Sequence, residues 1–173
     1  MDIYFFHLYN TENLSRIELH KLQHNEGRKH LKYLLEKVYN IDCDILEKDG
    51  KPYLKNNEIY FSISHSKELI CICFDKSEIG VDIEFEKERD YKKILKHYNI
   101  TDENISQQEF YKMWTIYEAE YKSTIKSDLI CFEYENFMCA VSYKTASEIR
   151  VFEDLNLIQN PEFLPLPKER LIS

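Results

Sequence analysis

Glycine is scarce, with three in 173 residues, and proline nearly so, with four. A chain this short of both is not a flexible linker or a low-complexity segment, because those compositions depend on them. No apolar run approaches the roughly 18 residues that a membrane-spanning helix needs. The opening Met1-Asp2-Ile3-Tyr4-Phe5-Phe6 lacks the basic flank and long apolar core of a signal peptide. Positive charge is also in deficit. The 23 Lys and Arg against 31 Asp and Glu leave a net charge of −8, which argues against a general nucleic-acid binder. The five cysteines (Cys43, Cys71, Cys73, Cys131, Cys139) are an odd number without zinc-type spacing. Free thiols and a cytoplasmic location are the expectation.

What is present is material for a core: the chain is 43% hydrophobic, with 13 Tyr and 10 Phe. Its length suits one unit over 1–173, or two small halves sharing an interior. Residues 2–9 read as a first strand. Thr11 is a plausible cap for a short helix to about His20, and Asn25 begins a second helix with Leu31, Leu34, Leu35 and Val38 on one side. Lys21, Arg28, Lys29, Lys32 and Lys37 mark its other face, which is either ordinary solvated charge or a surface for a polyphosphate. Asp49 to Pro52 reads as a turn. Strands follow at 59–66, at 69–74 (with Cys71 and Cys73 on one face) and at 79–84, and their short connections predict an antiparallel meander. Further on, the pattern predicts a helix over 90–99 and a loop over 101–106. A long helix over 107–125 has Phe110, Met113, Trp114, Tyr117, Tyr121 and Ile125 as its stripe. Strands are expected at 129–134, 137–143 and 148–153, then an extended tail with Pro161, Pro165 and Pro167.

Ile79 to Glu84 is the stretch that most invites a chemical reading. Alternation sends Ile79, Val81 and Ile83 to one face and Gly80, Asp82 and Glu84 to the other. Such a polar face is either the solvated side of an edge strand or a platform on which two carboxylates, roughly 6–7 Å apart at the backbone, hold one cation. Glu118 and Lys122, one helical turn apart, are either an ordinary ion pair or groups that act with those carboxylates. In Ser64-His65-Ser66 a nucleophilic Ser–His pair lacks any Gly-x-Ser-x-Gly elbow; hydrogen bonding to phosphate oxygens is the other use.

Taken in order, Gly50-Lys51-Pro52, Phe61-Ser62-Ile63-Ser64-His65-Ser66, Gly80-Val81-Asp82-Ile83-Glu84 and Trp114-Thr115-Ile116-Tyr117-Glu118-Ala119-Glu120-Tyr121-Lys122 resemble the 4′-phosphopantetheinyl transferases. The likeness is to the larger, pseudo-dimeric type that activates peptide and polyketide synthetases. The motifs cover about residues 50–122, and the basic helix at 28–35 extends the match. The resemblance implies an α+β fold in α/β layers: two similar halves, 1–85 and 86–173, each a helix packed on an antiparallel sheet, related by a pseudo-two-fold. It implies a monomer, while the acidic charge and the lack of a long apolar run point to no nucleic-acid or membrane partner. The implied reaction is Mg²⁺-dependent transfer of the 4′-phosphopantetheine arm of coenzyme A to a serine of an acyl or peptidyl carrier protein, releasing adenosine 3′,5′-bisphosphate. Carried over, Asp82, Glu84 and Glu118 would bind Mg²⁺, Glu118 would serve as general base, and Lys122 would stabilise the pyrophosphate. Lys51, Ser64, His65 and Arg28 would contact the phosphates of the adenosine half. Two departures stand out. The family usually has Lys where this chain has Tyr117, which opens a second reading: a non-catalytic relative that binds coenzyme A or a carrier protein. The chain is also short for the larger type, and 99–109 matches poorly.

Overall fold

The computed structural model describes residues 1–42, 44–48, 50–56, 58–97, 105–123, 128–144, 148–153 and 168–171. In chain order these form β1 (Asp2–His7), α1 (Arg16–Tyr33, closed by a π-helical turn over Leu34–Val38), β2 (Ile45–Lys48), β3 (Lys51–Leu54), β4 (Tyr60–Ser66), β5 (Leu69–Asp75) and β6 (Ile79–Phe85). They continue with α2 (Lys92–His97), α3 (Gln107–Ser123), β7 (Asp128–Tyr134), β8 (Phe137–Tyr143), β9 (Arg150–Glu153) and β10 (Lys168–Leu171). The fold is α+β.

The elements stack in four layers. Alternation along β1 and β5 sends Tyr4, Phe6, Ile70 and Ile72 toward α1, where Leu31, Leu34 and Leu35 cover them. The opposite faces send Ile3, Phe5, Cys71 and Cys73 onto Val81, Ile83, Cys139 and Val141 of a second sheet. The outer face of that second sheet carries α3. A smaller cluster of Leu95, Phe110, Tyr111 and Met138 ties α2 and α3 to its end.

The sheets run β10-β9-β1-β5-β4 and β6-β8-β7, with β2 and β3 as a separate hairpin. Within them, β1-α1-β4-β5 and β6-α3-β7-β8 share one connectivity. In each, the first strand pairs antiparallel with the last, which pairs antiparallel with the middle one. The strand β9 joins the outer edge of β1 in parallel, fastened by Arg150, which donates to both carboxylate oxygens of Asp2 at 2.7 and 2.8 Å.

Several expectations need correction. One helix, not two, spans the region after β1. It starts at Ser15, where a reciprocal cap forms: Glu18 N donates to Ser15 Oγ at 3.3 Å and Ser15 N to Glu18 Oε2 at 2.9 Å. That box outweighs the isolated Thr11 signal. The three-strand meander is also wrong. The strands β4 and β5 pair, but the other edge of β5 is taken by β1, so β6 pairs with β8 along its whole length. Lys51 and Pro52 lie inside β3, paired with β2, while the bend sits before them at Gly50 with φ +77°. On α3 the aromatic stripe does not mark the buried side: Tyr111, Thr115, Ala119 and Ser123 are buried beside Phe110, while Met113, Tyr117 and Tyr121 are exposed. Cys71, Cys73 and Cys139 are buried free thiols and Cys131 is a half-buried one. Cys43 and the stretch 154–167, with its prolines, lie outside the described residues, as do 98–104 and 124–127 at the ends of the two later helices. Among the described residues no helix is long and apolar enough to cross a membrane.

Candidate active site

The site is built where α3 lies on β6, and Gly80 sets how closely it lies. A Cβ at that position would overlap the Ala119 carbonyl oxygen and come within 2.6 Å of Ser123 N. Small side chains continue the contact, with Ser142 Oγ donating to Ser123 Oγ at 2.8 Å. This close approach explains why the small face of α3 is the buried one, and it brings Lys122 down onto β6.

There Lys122 Nζ donates to Asp82 Oδ1 at 2.7 Å, to the Val81 carbonyl at 3.1 Å and to Ser64 Oγ at 3.3 Å. Asp82 is buried at 6% exposure, and its second oxygen, Oδ2, has no hydrogen-bond partner. Burial raises the Asp82 carboxyl above the ordinary carboxylate range even though Lys122 and Ser64 pull it down. Glu84, half-buried, receives Trp114 Nε1 at 3.3 Å on one oxygen and Ser66 Oγ at 3.4 Å on the other. Its carboxyl is raised by burial and then by the charge of Asp82, with Arg89 opposing. Glu118 is raised by burial and by Asp82 as well. Three carboxyls thus share one field, and each is penalised for being charged.

That field suits a hard divalent cation in kind. The donors are all carboxylate oxygen, and Asp82 Oδ2 is a buried acceptor with nothing to satisfy it. Lys122 already neutralises Oδ1. As placed, no three acidic, histidine or cysteine side chains among the described residues close into a metal-binding group. Glu84 and Glu118 would have to rotate toward Asp82.

The expected phosphate contacts are not all in one place. Lys51 Nζ donates to the Lys122 carbonyl at the C-terminal end of α3. Its ammonium is lowered by burial, with Glu78 opposing and the Lys122 charge adding to the lowering. His65 points to the α1 side, its ring edge-on to His20 at 5.6 Å between centroids. Burial and the nearby His20 and Lys122 charges bring its pKa down to about 4, so it is a neutral imidazole at pH 7. Arg28 is turned away, bonded to Glu47 of β2. Two other basic residues of α1 are also paired, Lys29 with Glu26 at 2.6 Å and Lys32 with Glu36 at 3.6 Å. Ser64 faces Asp82, where its hydroxyl donates at 2.9 Å.

Sequence reasoning overlooked what four residues contribute. Gly80 was one member of a polar face, yet it is the residue that admits α3. Trp114 and Ser66 hold Glu84, and the alternating serines Ser62, Ser64 and Ser66 were a visible signal. Arg89 acts on Glu84 through its charge and lies 5.2 Å above the Tyr111 ring.

With that geometry in hand, the chain can be compared with known proteins. No family model matches it. It is similar to a Haemophilus influenzae protein provisionally named a 4′-phosphopantetheinyl transferase, at 34% identity over an 86-residue alignment. The alignment covers 43% of this chain and 37% of that relative. The likeness is partial, since the chain matches little more than a third of that relative's length, and it supports the superfamily.

Proposed function

We propose that this protein transfers the 4′-phosphopantetheine group of coenzyme A to a serine of an acyl or peptidyl carrier protein. The observation that carries the reading is Asp82: a carboxylate buried under α3 with one oxygen on Lys122, the other unpartnered, and Glu84 and Glu118 in its field. The equal connectivity of β1-α1-β4-β5 and β6-α3-β7-β8 supports reading the fold as two similar halves about a pseudo-two-fold. A single chain would then form the whole site as a monomer.

In this reading Asp82, Glu84 and Glu118 hold Mg²⁺, which when bound neutralises pyrophosphate charge and orients the donor. Lys122 leaves Asp82 for the pyrophosphate, and Lys51 and His65 take phosphate oxygens of the adenosine half, His65 as a neutral hydrogen-bonding group. Arg28 would join them after releasing Glu47. Glu118 accepts the proton of the carrier serine, which suits a carboxyl whose proton affinity is raised by burial and by the Asp82 charge. The serine oxygen bonds to the phosphorus next to the pantetheine arm. The bond from that phosphorus to the bridging oxygen breaks, and its electron pair leaves with adenosine 3′,5′-bisphosphate.

The test is to incubate the protein with coenzyme A, Mg²⁺ and a panel of apo-carriers and to weigh each carrier. A phosphopantetheine mass gain is expected, and Asp82→Ala should abolish it with the fold retained. No gain with any carrier would overturn the enzyme reading. Tyr117 favours one alternative, a relative that binds coenzyme A or a carrier without reacting. Saturable coenzyme A binding in calorimetry with no mass gain would identify that case.

A further inference from the structure

Among the described residues, the edge of β6 away from β8 pairs with no strand, although β4 runs alongside it. Its outward N–H groups are met instead by side chains from the opposing sheet. Val81 N donates to Ser62 Oγ at 3.1 Å, Ile83 N to Ser64 Oγ at 3.2 Å and Phe85 N to Ser66 Oγ at 3.0 Å. The spacing is regular because both strands advance two residues per repeat: each serine meets the N–H nineteen positions later. The hydroxyl hydrogens follow the same offset, less one residue. Ser64 Oγ donates to Asp82 Oδ1 at 2.9 Å and Ser66 Oγ to Glu84 Oε2 at 3.4 Å. Ser62 would meet residue 80 in that scheme, and residue 80 is glycine.

A hydroxyl has one hydrogen to donate and two lone pairs to accept with. Ser64 spends its hydrogen on Asp82 and accepts from Ile83 N and Lys122 Nζ, so no donor remains for a phosphate oxygen. It is also buried, at 6% exposure.

We propose that Ser64, and more weakly Ser66, are positioning residues: each clips the β6 backbone and, with the same hydroxyl, fixes the carboxylate of the preceding β6 residue toward α3. They hold Asp82 and Glu84 and do not touch substrate. The proposal rests on the transferase reading only for the purpose of those carboxylates; the clip itself is independent of it.

Ser62 supplies an internal control, because it makes the backbone bond with no carboxylate attached. In the full-length protein, Ser62→Ala should lower Tm by the loss of the backbone bond alone, and Ser64→Ala and Ser66→Ala by at least as much. Two further readouts separate positioning from scaffolding. The first is the side-chain carboxyl ¹³C signal of Asp82 in metal-free protein, which should move in Ser64→Ala, stay in Ser62→Ala and return toward its original position in Ser64→Thr. The second is Mn²⁺ affinity by electron paramagnetic resonance, with neither coenzyme A nor carrier present. It should fall about 10- to 100-fold in Ser64→Ala, the usual effect of removing a group that orients a metal ligand, less in Ser66→Ala, and not in Ser62→Ala. An Asp82 signal that responds to Ser64→Ala no more than to Ser62→Ala overturns the proposal. So does a Ser64→Ala enzyme with unchanged Mn²⁺ affinity and a raised KM for coenzyme A, which would make the hydroxyl a substrate contact. Wild-type protein that binds no Mn²⁺ would sink the metal assignment of the transferase reading, while the carboxyl signal still decides the clip.

Discussion

Lys122 Nζ lies 2.7 Å from Asp82 Oδ1, so the residue expected to serve a pyrophosphate is held by the residue expected to serve a metal ion. Two cations cannot share that oxygen at full strength, and the ammonium has to yield if a divalent ion arrives. Lys122→Met should therefore do two opposite things. Metal-free stability at pH 7 should drop by about 3 kcal/mol, since an uncompensated buried carboxylate remains. Mn²⁺ affinity without coenzyme A should rise, because the resident competitor is gone. Denaturant unfolding and a paramagnetic titration measure the two. A variant with weaker Mn²⁺ binding would show that the pair does not compete with the ion.

The same carboxyls make stability depend on pH. Asp82, Glu84 and Glu118 all have folded-state pKa values raised above their ordinary ones, so the folded chain binds these protons more tightly than the unfolded chain. Their contribution is favourable below the ordinary carboxylate range near about pH 4 and is lost as pH rises through the folded values. A bound divalent cation removes the penalty only where they are ionised. Adding Mg²⁺ should raise Tm at pH 7.5 and have little effect at pH 4.5, and Asp82→Asn should flatten the difference. An equal Mg²⁺ effect at both pH values would contradict the shared-field picture.

Gly80→Ala should be among the costliest single-methyl additions in this fold. The obstacles are the Ala119 carbonyl and the Ser123 amide, backbone groups that cannot swing aside as a side-chain tip can. Lifting α3 off β6 should cost about 2–3 kcal/mol or more, the upper end of ordinary overpacking. It should also separate Lys122 from Asp82. Chemical denaturation gives the first quantity and the Asp82 carboxyl signal the second. A methyl accepted within 0.5 kcal/mol would mean that the close approach is not needed.

Tyr117 is exposed on the solvent side of α3, one residue before Glu118. A lysine there adds a positive charge beside the proposed pyrophosphate position without disturbing the core. At an exposed position such a charge contributes about 0.5–1 kcal/mol, so Tyr117→Lys should raise the transfer rate roughly two- to fivefold. A rate that stays flat or falls would show that the phenol has its own use.

Much of the architecture was legible because local signals agreed with tertiary ones. The strands β4, β5, β7 and β8 fell where alternation and turn residues put them, and α3 began at its predicted Gln107. The misread parts depend on what the chain meets elsewhere. Nothing local says that β1 will take the edge of β5 and expel β6 to a second sheet. Nothing in the spacing of Tyr117 and Tyr121 says that Gly80 will draw the small face of α3 inward instead. The candidate carboxylates and Lys122 were visible as residue types at suitable spacing. Their mutual pairing was not, since it needs the four layers in place. Arg28 failed to join them because Glu47, on a hairpin that the sequence pattern did not reveal, lies nearer.

The union of β9 with β1 bears on how the chain assembles. Asp2 and Arg150 are separated by nearly the whole described sequence, yet their strands are neighbours in one sheet. Until residues 148–153 arrive, the outer edge of β1 presents unpaired backbone groups, the kind of surface on which partly made chains stick to one another. A polypeptide halted after β8 would contain every candidate site residue and still carry that open edge. Such a truncated chain should aggregate during expression, even though nothing needed for chemistry has been removed.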